Sequence, residues 1–262
     1  QGIPGAYAHI ALRQFFGTDI FEFNVPTWKE AFNAAANGSV DYAIVPIDNS
    51  TAGSVVEVYD LFNEFQVYIV AEEFVKIEHA LLALPGTKLS DIKTVISHPQ
   101  GLMQCKKFLE GHQDWRRKTC SNTAISAKMV KEEEDKTQAA IASVEAGKIY
   151  GLEPITTCIN QEAKNTTRFV VLSNKRRFLK SANKVSIEIE TLNEKGALYN
   201  ILSPIVYNDL NMMKLESRPL KGSEWNSRFY CDFEGNLADS RVRDALRGIY
   251  EESTSMRLLG NY

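Results

Sequence analysis

The sequence lacks the features that would place it in a specialised class of protein. No apolar run approaches the length of a membrane span, and the first residues predict neither a signal nor a transit peptide. The net charge is only −3 at pH 7, so no strong positive field predicts nucleic acid or an acidic membrane as a partner. The four cysteines have no metal-type spacing, which indicates reduced thiols in a cytosol-like compartment.

Several catalytic signatures are also missing. The four histidines, at positions 9, 79, 98 and 112, form no His-Glu-x-x-His pattern, so we expect no metal site. There is no Walker-type phosphate loop and no Gly-x-Ser-x-Gly elbow. These absences argue against nucleotide-dependent and serine-hydrolase chemistry, and we predict an activity without a cofactor.

What remains is an ordinary globular composition, with 262 residues, 44% of them hydrophobic and 24% charged. Short apolar runs alternate with helical periodicity up to residue 172, which predicts parallel sheets with helices on both faces. Within this part we expect a strand at 42–45 that ends at Pro46 and a helix at 102–109. A basic run at 174–184 is typical of a linker, and the pattern after it is βαββαβ, the ferredoxin-like arrangement.

Polar or glycine-rich turns recur where a predicted strand ends and a helix begins. They lie at residues 2–5, 48–53, 97–101 and 121–123. Such turns cluster at the carboxyl ends of strands in open α/β sheets, and helix N-termini attract carboxylates. Each turn alone could simply cap its own helix, but together they predict a site for a small polyanion.

The stretch 164–169, Lys-Asn-Thr-Thr-Arg-Phe, stands at the entrance to the apolar run 170–172. Taken alone it is typical of a turn whose side chains bind their own backbone. Beside the other polar turns it becomes a candidate for chemistry, because two hydroxyls, an amide and a guanidinium lie at the mouth of a buried strand.

Together these residues resemble the prephenate dehydratase family over essentially the whole chain, and the motif at 165–169 is the most specific. In the first part the resemblance rests on residues 2–7 (Gly-Ile-Pro-Gly-Ala-Tyr), 45–50 (Val-Pro-Ile-Asp-Asn-Ser) with Gly53, 97–100 (Ser-His-Pro-Gln) with Gln104 and Cys105, Thr123 with Ala124, and 165–169 (Asn-Thr-Thr-Arg-Phe). In the tail it rests on residues 196–198 (Gly-Ala-Leu), Asn211, 216–219 (Glu-Ser-Arg-Pro) and 259–262 (Leu-Gly-Asn-Tyr).

The resemblance implies an α/β protein with two domains. Residues 1–178 would form a two-lobed catalytic domain, similar to type II periplasmic binding proteins, with a cleft between the lobes. Residues 184–262 would form a ferredoxin-like ACT domain that regulates it. The implied reaction is the decarboxylating dehydration of prephenate to phenylpyruvate in L-phenylalanine biosynthesis.

The resemblance also assigns roles to residues, with Thr167 as the catalytic residue. Arg168 could orient a substrate carboxylate or anchor the motif, and Phe169 would pack beneath the site. The expected substrate-binding residues are Asn49, Ser50, Gly53, His98, Gln100, Thr123, Asn165, Arg168 and Phe169.

L-Phenylalanine is the implied effector, bound between two ACT domains of a homodimer or homotetramer. The residues expected to bind it are Gly196, Ala197, Leu198, Asn211, Glu216, Ser217 and Arg218.

The sequence departs from the family at a few positions. Asp48 stands where glutamate is usual, and Lys195 stands where proline is common. The family's first strand and a chorismate mutase segment do not precede the glycine turn, which would fit a monofunctional or trimmed form. Arogenate dehydratase and a non-catalytic amino-acid sensor remain as alternatives, and we expect a cytoplasmic location, or a plastid one in a plant.

Overall fold

The structure is a computed structural model that describes residues 1–220 and 225–262. The helices are α1 (Tyr7–Phe16), α2 (Trp28–Ala36), α3 (Val56–Glu64), α4 (Pro99–Gln104), α5 (Lys106–Glu110), α6 (Thr123–Glu133), α7 (Val144–Tyr150), α8 (Ala197–Tyr207) and α9 (Ser240–Glu252). The strands are β1 (Ala43–Asn49), β2 (Gly53–Ser54), β3 (Tyr68–Lys76), β4 (Ala80–Ala83), β5 (Thr94–Ser97), β6 (Arg116–Thr119), β7 (Gln138–Ala142), β8 (Glu153–Thr156), β9 (Thr166–Ser173), β10 (Lys184–Thr191), β11 (Met212–Pro219), β12 (Ser227–Glu234) and β13 (Ser255–Asn261).

The chain divides into two compact units, each made of several segments. The first comprises Gln1–Ala31, Ile44–Val55 and Glu73–Phe169, and the second comprises Phe32–Ala43, Val56–Glu72 and Val170–Tyr262. The domain limits expected from the sequence, 1–178 and 184–262, stay a prediction. No helix in the described ranges is long and apolar enough to cross a bilayer.

A four-stranded sheet has the order β2-β1-β9-β3. The prediction that its first strand ends at Pro46 is wrong, because β1 continues to Asn49. Proline lacks an N–H and is tolerated where the ladder does not need one. The short strand β2 pairs only with Asp48 and Asn49, so on that side the ladder does not reach Pro46. Asn49 is therefore the last residue of the strand and lies directly before the turn that follows it.

A five-stranded sheet in the first unit has the order β6-β5-β7-β4-β8. Strand β5 is parallel to β6 and β7, whereas β4 is antiparallel to β7 and β8. The expectation of parallel sheets is therefore wrong for β4 and β8. The pattern also missed β6, whose residues Arg116–Thr119 are all exposed and so show no apolar alternation.

The helix predicted at 102–109 is two helices, α4 and α5. The backbone leaves helical geometry at Cys105, with φ −105° and ψ 17°, and this side chain is fully buried. The prediction located the helical region but missed both the break and the earlier start at Pro99. Proline is suited to the first helical position, where its missing N–H costs nothing.

Three parallel strands of the first unit each lead to a helix N-terminus. The residues that cap these helices are His98 for α4, Asn122 for α6 and Ser143 for α7. Helices α4 and α6 approach closely at Gly101, where an added Cβ would lie 2.7 Å from Ser97 Oγ and 3.3 Å from Thr123 Cγ2. Only glycine fits at this position without a shift of its neighbours.

The tail of the chain forms the predicted βαββαβ unit. Its four strands are antiparallel in the order β11-β12-β10-β13, as in ferredoxin-like folds. Alternate side chains of β10, Val185, Ile187 and Ile189, are fully buried against α8 and α9. The opposite face of β10 is also covered, because Ser186 and Glu188 are buried.

Within the second unit, polar contacts join this tail sheet to α3 and β3. Arg218 donates to both carboxylate oxygens of Asp60, at 2.9 Å each. Lys184 Nζ lies 2.5 and 2.7 Å from the carboxylate oxygens of Glu72. Tyr230 donates to the Tyr59 carbonyl at 2.8 Å. We call the two ion pairs, Arg218–Asp60 and Lys184–Glu72, the tail ion-pair cluster.

Candidate active site

Asn49, the last residue of β1, lies at the centre of a partly buried group of amides and hydroxyls in the first unit. Its Nδ2 donates to Asn165 Oδ1 at 2.8 Å and to Thr167 Oγ1 at 2.9 Å. Its Oδ1 accepts from Thr51 N at 3.0 Å, Thr51 Oγ1 at 2.7 Å and Ala52 N at 2.9 Å. We call Asn49, Thr51, Asn165 and Thr167 the amide–hydroxyl cluster.

Strand β9 presents the residues of the 165–169 motif. Asn165 and Thr167 are only 1% and 8% exposed, so their polar atoms are largely withdrawn from bulk water. Successive side chains of a strand point to opposite faces. Thr167 and Phe169 therefore share one face, and the Phe169 side chain is buried. Its packing beneath the site stays a prediction.

Arg168 points to the other face of β9 and contacts a carboxylate of the protein. Its Nη1 lies 3.3 Å from Asp48 Oδ2, and both side chains are largely buried. Of the two roles that the sequence left open, this contact favours the anchoring of the motif. Asp48, which replaces the family's usual glutamate, is the partner.

Ser50 and Gly53 shape the turn after β1. Ser50 Oγ accepts from Thr166 N at 3.0 Å, and Ser50 N donates to the Thr166 carbonyl at 2.9 Å. Gly53 has a φ of +81°, a conformation that side chains rarely adopt. Ser50, which is exposed, joins the end of β1 to the start of β9, whereas Gly53 pairs with Asn49 in the short strand β2.

The predicted residues His98, Gln100 and Thr123 form a separate group at the N-termini of α4 and α6. His98 Nδ1 accepts from Gln100 N at 3.2 Å, and burial lowers the pKa of the His98 imidazole. Across residues 1–220 and 225–262, no hydrogen bond joins this group to the amide–hydroxyl cluster. The same described ranges hold no group of three His, Cys, Asp or Glu side chains arranged for a metal ion.

Two features of the first unit were not predicted from the sequence. Thr51 binds the Asn49 amide, and its place in a hydroxyl-rich turn was a signal that an Asx turn forms there. His79 lies almost fully buried between Tyr7 Oη at 3.1 Å and Gln104 Oε1 at 2.8 Å. A lone histidine before an apolar strand gives no such signal, because its partners come from distant segments.

The residues predicted to bind an effector lie in or directly before α8 and β11. Gly196 caps α8 with a φ of +83°, and the Asn211 carbonyl accepts from Glu234 N. Glu216 lies 3.8 Å from Lys214, whereas Arg218 is held by Asp60. Of the remaining predicted residues, Ala197 and Leu198 lie at the start of α8 and Ser217 lies in β11.

The fold and the cluster define a class of protein: an α/β enzyme with neutral hydrogen-bond donors in its candidate site and a ferredoxin-like C-terminal domain. A family model described as prephenate dehydratase matches residues 1–177. The bifunctional chorismate mutase/prephenate dehydratase of Escherichia coli is 34% identical over 266 residues, covering 100% of this chain and 69% of that protein.

Solved structures agree with this match. Prephenate dehydratase from Arthrobacter aurescens, in complex with L-Phe, is 30% identical with a TM-score of 0.91, over 100% of this chain and 88% of that chain. A quorum-quenching acylase is also 30% identical, with a TM-score of 0.90, over 99% and 95% of the two chains. The chain belongs to the prephenate dehydratase family, and its enzyme class is that of the carbon–oxygen lyases.

Proposed function

We propose that Thr167 assists the departure of the ring hydroxyl when this enzyme converts prephenate to phenylpyruvate, the reaction of its family. One observation supports this role above the others. The Thr167 hydroxyl accepts from Asn49, and among the described residues no acceptor takes its hydrogen. A buried hydroxyl whose hydrogen is available can donate to a leaving oxygen.

The chemistry requires little more than orientation and one proton. The electron pair of the bond to the ring carboxylate enters the ring as CO₂ leaves, and the C–O pair departs with the hydroxyl oxygen. A proton ultimately taken from solvent converts the leaving hydroxide to water. Threonine is a weak acid, so positioning must carry much of the effect. The aromatic ring that forms supplies the driving force.

The two substrate carboxylates need donors of their own. Thr123 begins α6, an eleven-residue helix whose N-terminus attracts anions, and His98 with Gln100 lies at the adjoining helix α4. We assign this group to a carboxylate. Arg168 is assigned a positioning role through Asp48.

Feedback by L-phenylalanine is proposed for the C-terminal domain. The related enzyme from Arthrobacter aurescens is described in complex with L-Phe. We place the amino acid at residues 196–198 of one protomer. Asn211, directly before β11, and Glu216 and Ser217 in β11 would complete the contact across a homodimer or homotetramer. Inhibition then requires tighter effector binding to a less active state.

The acylase relative makes a second function worth testing. Acyl transfer by a threonine requires a base that activates the hydroxyl. The Asn49 amide is a donor to Thr167 and cannot accept its proton. This arrangement favours dehydratase activity over acyl transfer.

We also propose that the enzyme acts in the cytoplasm.

One assay separates the candidates: incubation of the purified protein with prephenate, arogenate or an acyl-amide substrate. We expect phenylpyruvate from prephenate, at a rate that falls as L-phenylalanine is titrated. Phenylalanine formed from arogenate alone would indicate arogenate dehydratase, and acyl release would indicate the acylase. Turnover of none of the three would indicate the sensor. An unchanged rate at saturating L-phenylalanine, confirmed by calorimetry, would reject the feedback proposal.

A further inference from the structure

The orientation of the Asn49 amide is set by the turn that follows it. Two backbone N–H groups, of Thr51 and Ala52, point at Asn49 Oδ1 from 3.0 and 2.9 Å. A backbone N–H can only donate, so the oxygen must face the turn and the nitrogen must face away. The usual ambiguity between the oxygen and nitrogen of an asparagine amide is therefore removed at this position.

The amide nitrogen in turn directs two other side chains. It carries two hydrogens, and its two short contacts are to Asn165 Oδ1 and Thr167 Oγ1. A third contact, to the Thr166 carbonyl, is longer at 3.4 Å. Because Thr167 Oγ1 accepts from Asn49, its own hydrogen must point elsewhere.

Asn165 is left with a donor that nothing satisfies. Its Oδ1 faces Asn49, so its Nδ2 faces away, and this nitrogen is buried without a hydrogen-bond partner. The residue is only 1% exposed. A buried polar group without a partner is costly and needs an explanation, and a ligand that accepts a hydrogen bond would supply one.

We propose that Asn49 is a positioning residue that holds the Thr167 hydroxyl and the Asn165 amide as two donors for the substrate's leaving oxygen. This inference rests on the proposed role of Thr167. Asn49 itself then does not touch the substrate, which revises its predicted role. The proton still passes at Thr167 Oγ1, and Asn165 Nδ2 stabilises the negative charge that develops on the oxygen.

The substitution Asn49→Asp tests the proposal with almost no change of shape. The carboxylate keeps the acceptor for Thr51 and Ala52 but turns the donor to Thr167 into an acceptor, which attracts the hydroxyl hydrogen away from the substrate. We expect kcat to fall roughly tenfold or more, with a smaller change in KM. Asn37→Asp is the matched control, because Asn37 Oδ1 caps Ser39 N in the same way far from this cluster in sequence; its kcat should be unchanged.

A mutant cycle that removes both of these donors separates positioning from a general structural role. If Asn49 acts only through Thr167 and Asn165, adding Asn49→Asp to a variant that carries both Thr167→Ala and Asn165→Ala lowers kcat by no more than about threefold further. Losses that multiply would overturn the inference while leaving the role of Thr167 intact. A Thr167→Ala variant with wild-type kcat would overturn both. If Asn49→Asp does not fold, Asn49→Ser replaces it in the cycle, since its hydroxyl can still form an ST turn but is too short to reach Thr167.

Discussion

The amide–hydroxyl cluster and the tail ion-pair cluster use polar groups in opposite ways. The four side chains of the amide–hydroxyl cluster are neutral, and two donors, the Thr167 hydroxyl and Asn165 Nδ2, have no acceptor among the described residues. In the tail cluster Arg218 and Lys184 each face a carboxylate at hydrogen-bonding distance. Satisfied charges stabilise a fold, whereas unsatisfied buried donors are retained where a ligand will use them.

The largest effect should come from removing the Thr167 hydroxyl. Thr167→Ala is expected to lower kcat by about 10²–10⁴-fold, the contribution of a positioned acid, with a modest change in KM. Thr167→Ser keeps the hydroxyl and should retain more activity than alanine. Steady-state kinetics on prephenate measure both variants, with circular dichroism as the check on folding. Near wild-type kcat in the alanine variant would mean that the two clusters do not differ in the proposed way.

In the tail cluster, Lys184 should matter for stability and leave kcat per folded molecule unchanged. Its side chain is 7% exposed and Glu72 is 20% exposed, so Lys184→Met leaves a largely buried carboxylate without its cation. We expect a loss of about 3 kcal/mol in the free energy of unfolding, measured by urea titration. Lys76→Met is the matched control, because the Lys76–Glu78 pair is well exposed and its loss should be much smaller.

Substitution of Arg218 should change stability less than substitution of Lys184. It also tests whether Arg218 stabilises the fold or binds L-phenylalanine. Its pair with Asp60 is bidentate but about a quarter exposed. A double-mutant cycle of Arg218→Ala and Asp60→Ala should therefore give a coupling energy of only about 1 kcal/mol. If Arg218 is structural, the single variant still binds L-phenylalanine in calorimetry. Loss of that binding with unchanged stability would restore the effector role predicted from the sequence.

The comparison also explains what the sequence could and could not predict. The strands and helices of the ferredoxin-like tail were predicted close to their limits. Strand β9 was not, because it begins at Thr166, within the polar motif that was predicted to precede the apolar run 170–172. Strand β6 was missed because its residues are exposed and carry no apolar alternation. The pairing of Arg218 with Asp60 joins residues 158 positions apart, and no local pattern encodes such a contact.

Within the site, the residue types were predictable but not their directions. The motif identified Asn165, Thr167 and Arg168, yet only strand geometry separates the face of Thr167 from that of Arg168. The orientation of Asn49 depends on Thr51 and Ala52 in three dimensions. Sequence patterns therefore supply candidates, and hydrogen-bond geometry decides which of them donate.

The smallest predicted effect concerns acid, and it arises outside both clusters, at His79. Burial lowers the pKa of His79 below its ordinary value of 6.5, so the folded state binds this proton less readily than the unfolded state. Stability contributed by neutral His79 is therefore complete above pH 6.5 and is lost as the pH falls below it. Urea titrations from pH 7.5 to about 5.5 measure the slope, and His79→Gln should reduce it. An undiminished slope in His79→Gln would mean that another group controls the response to acid.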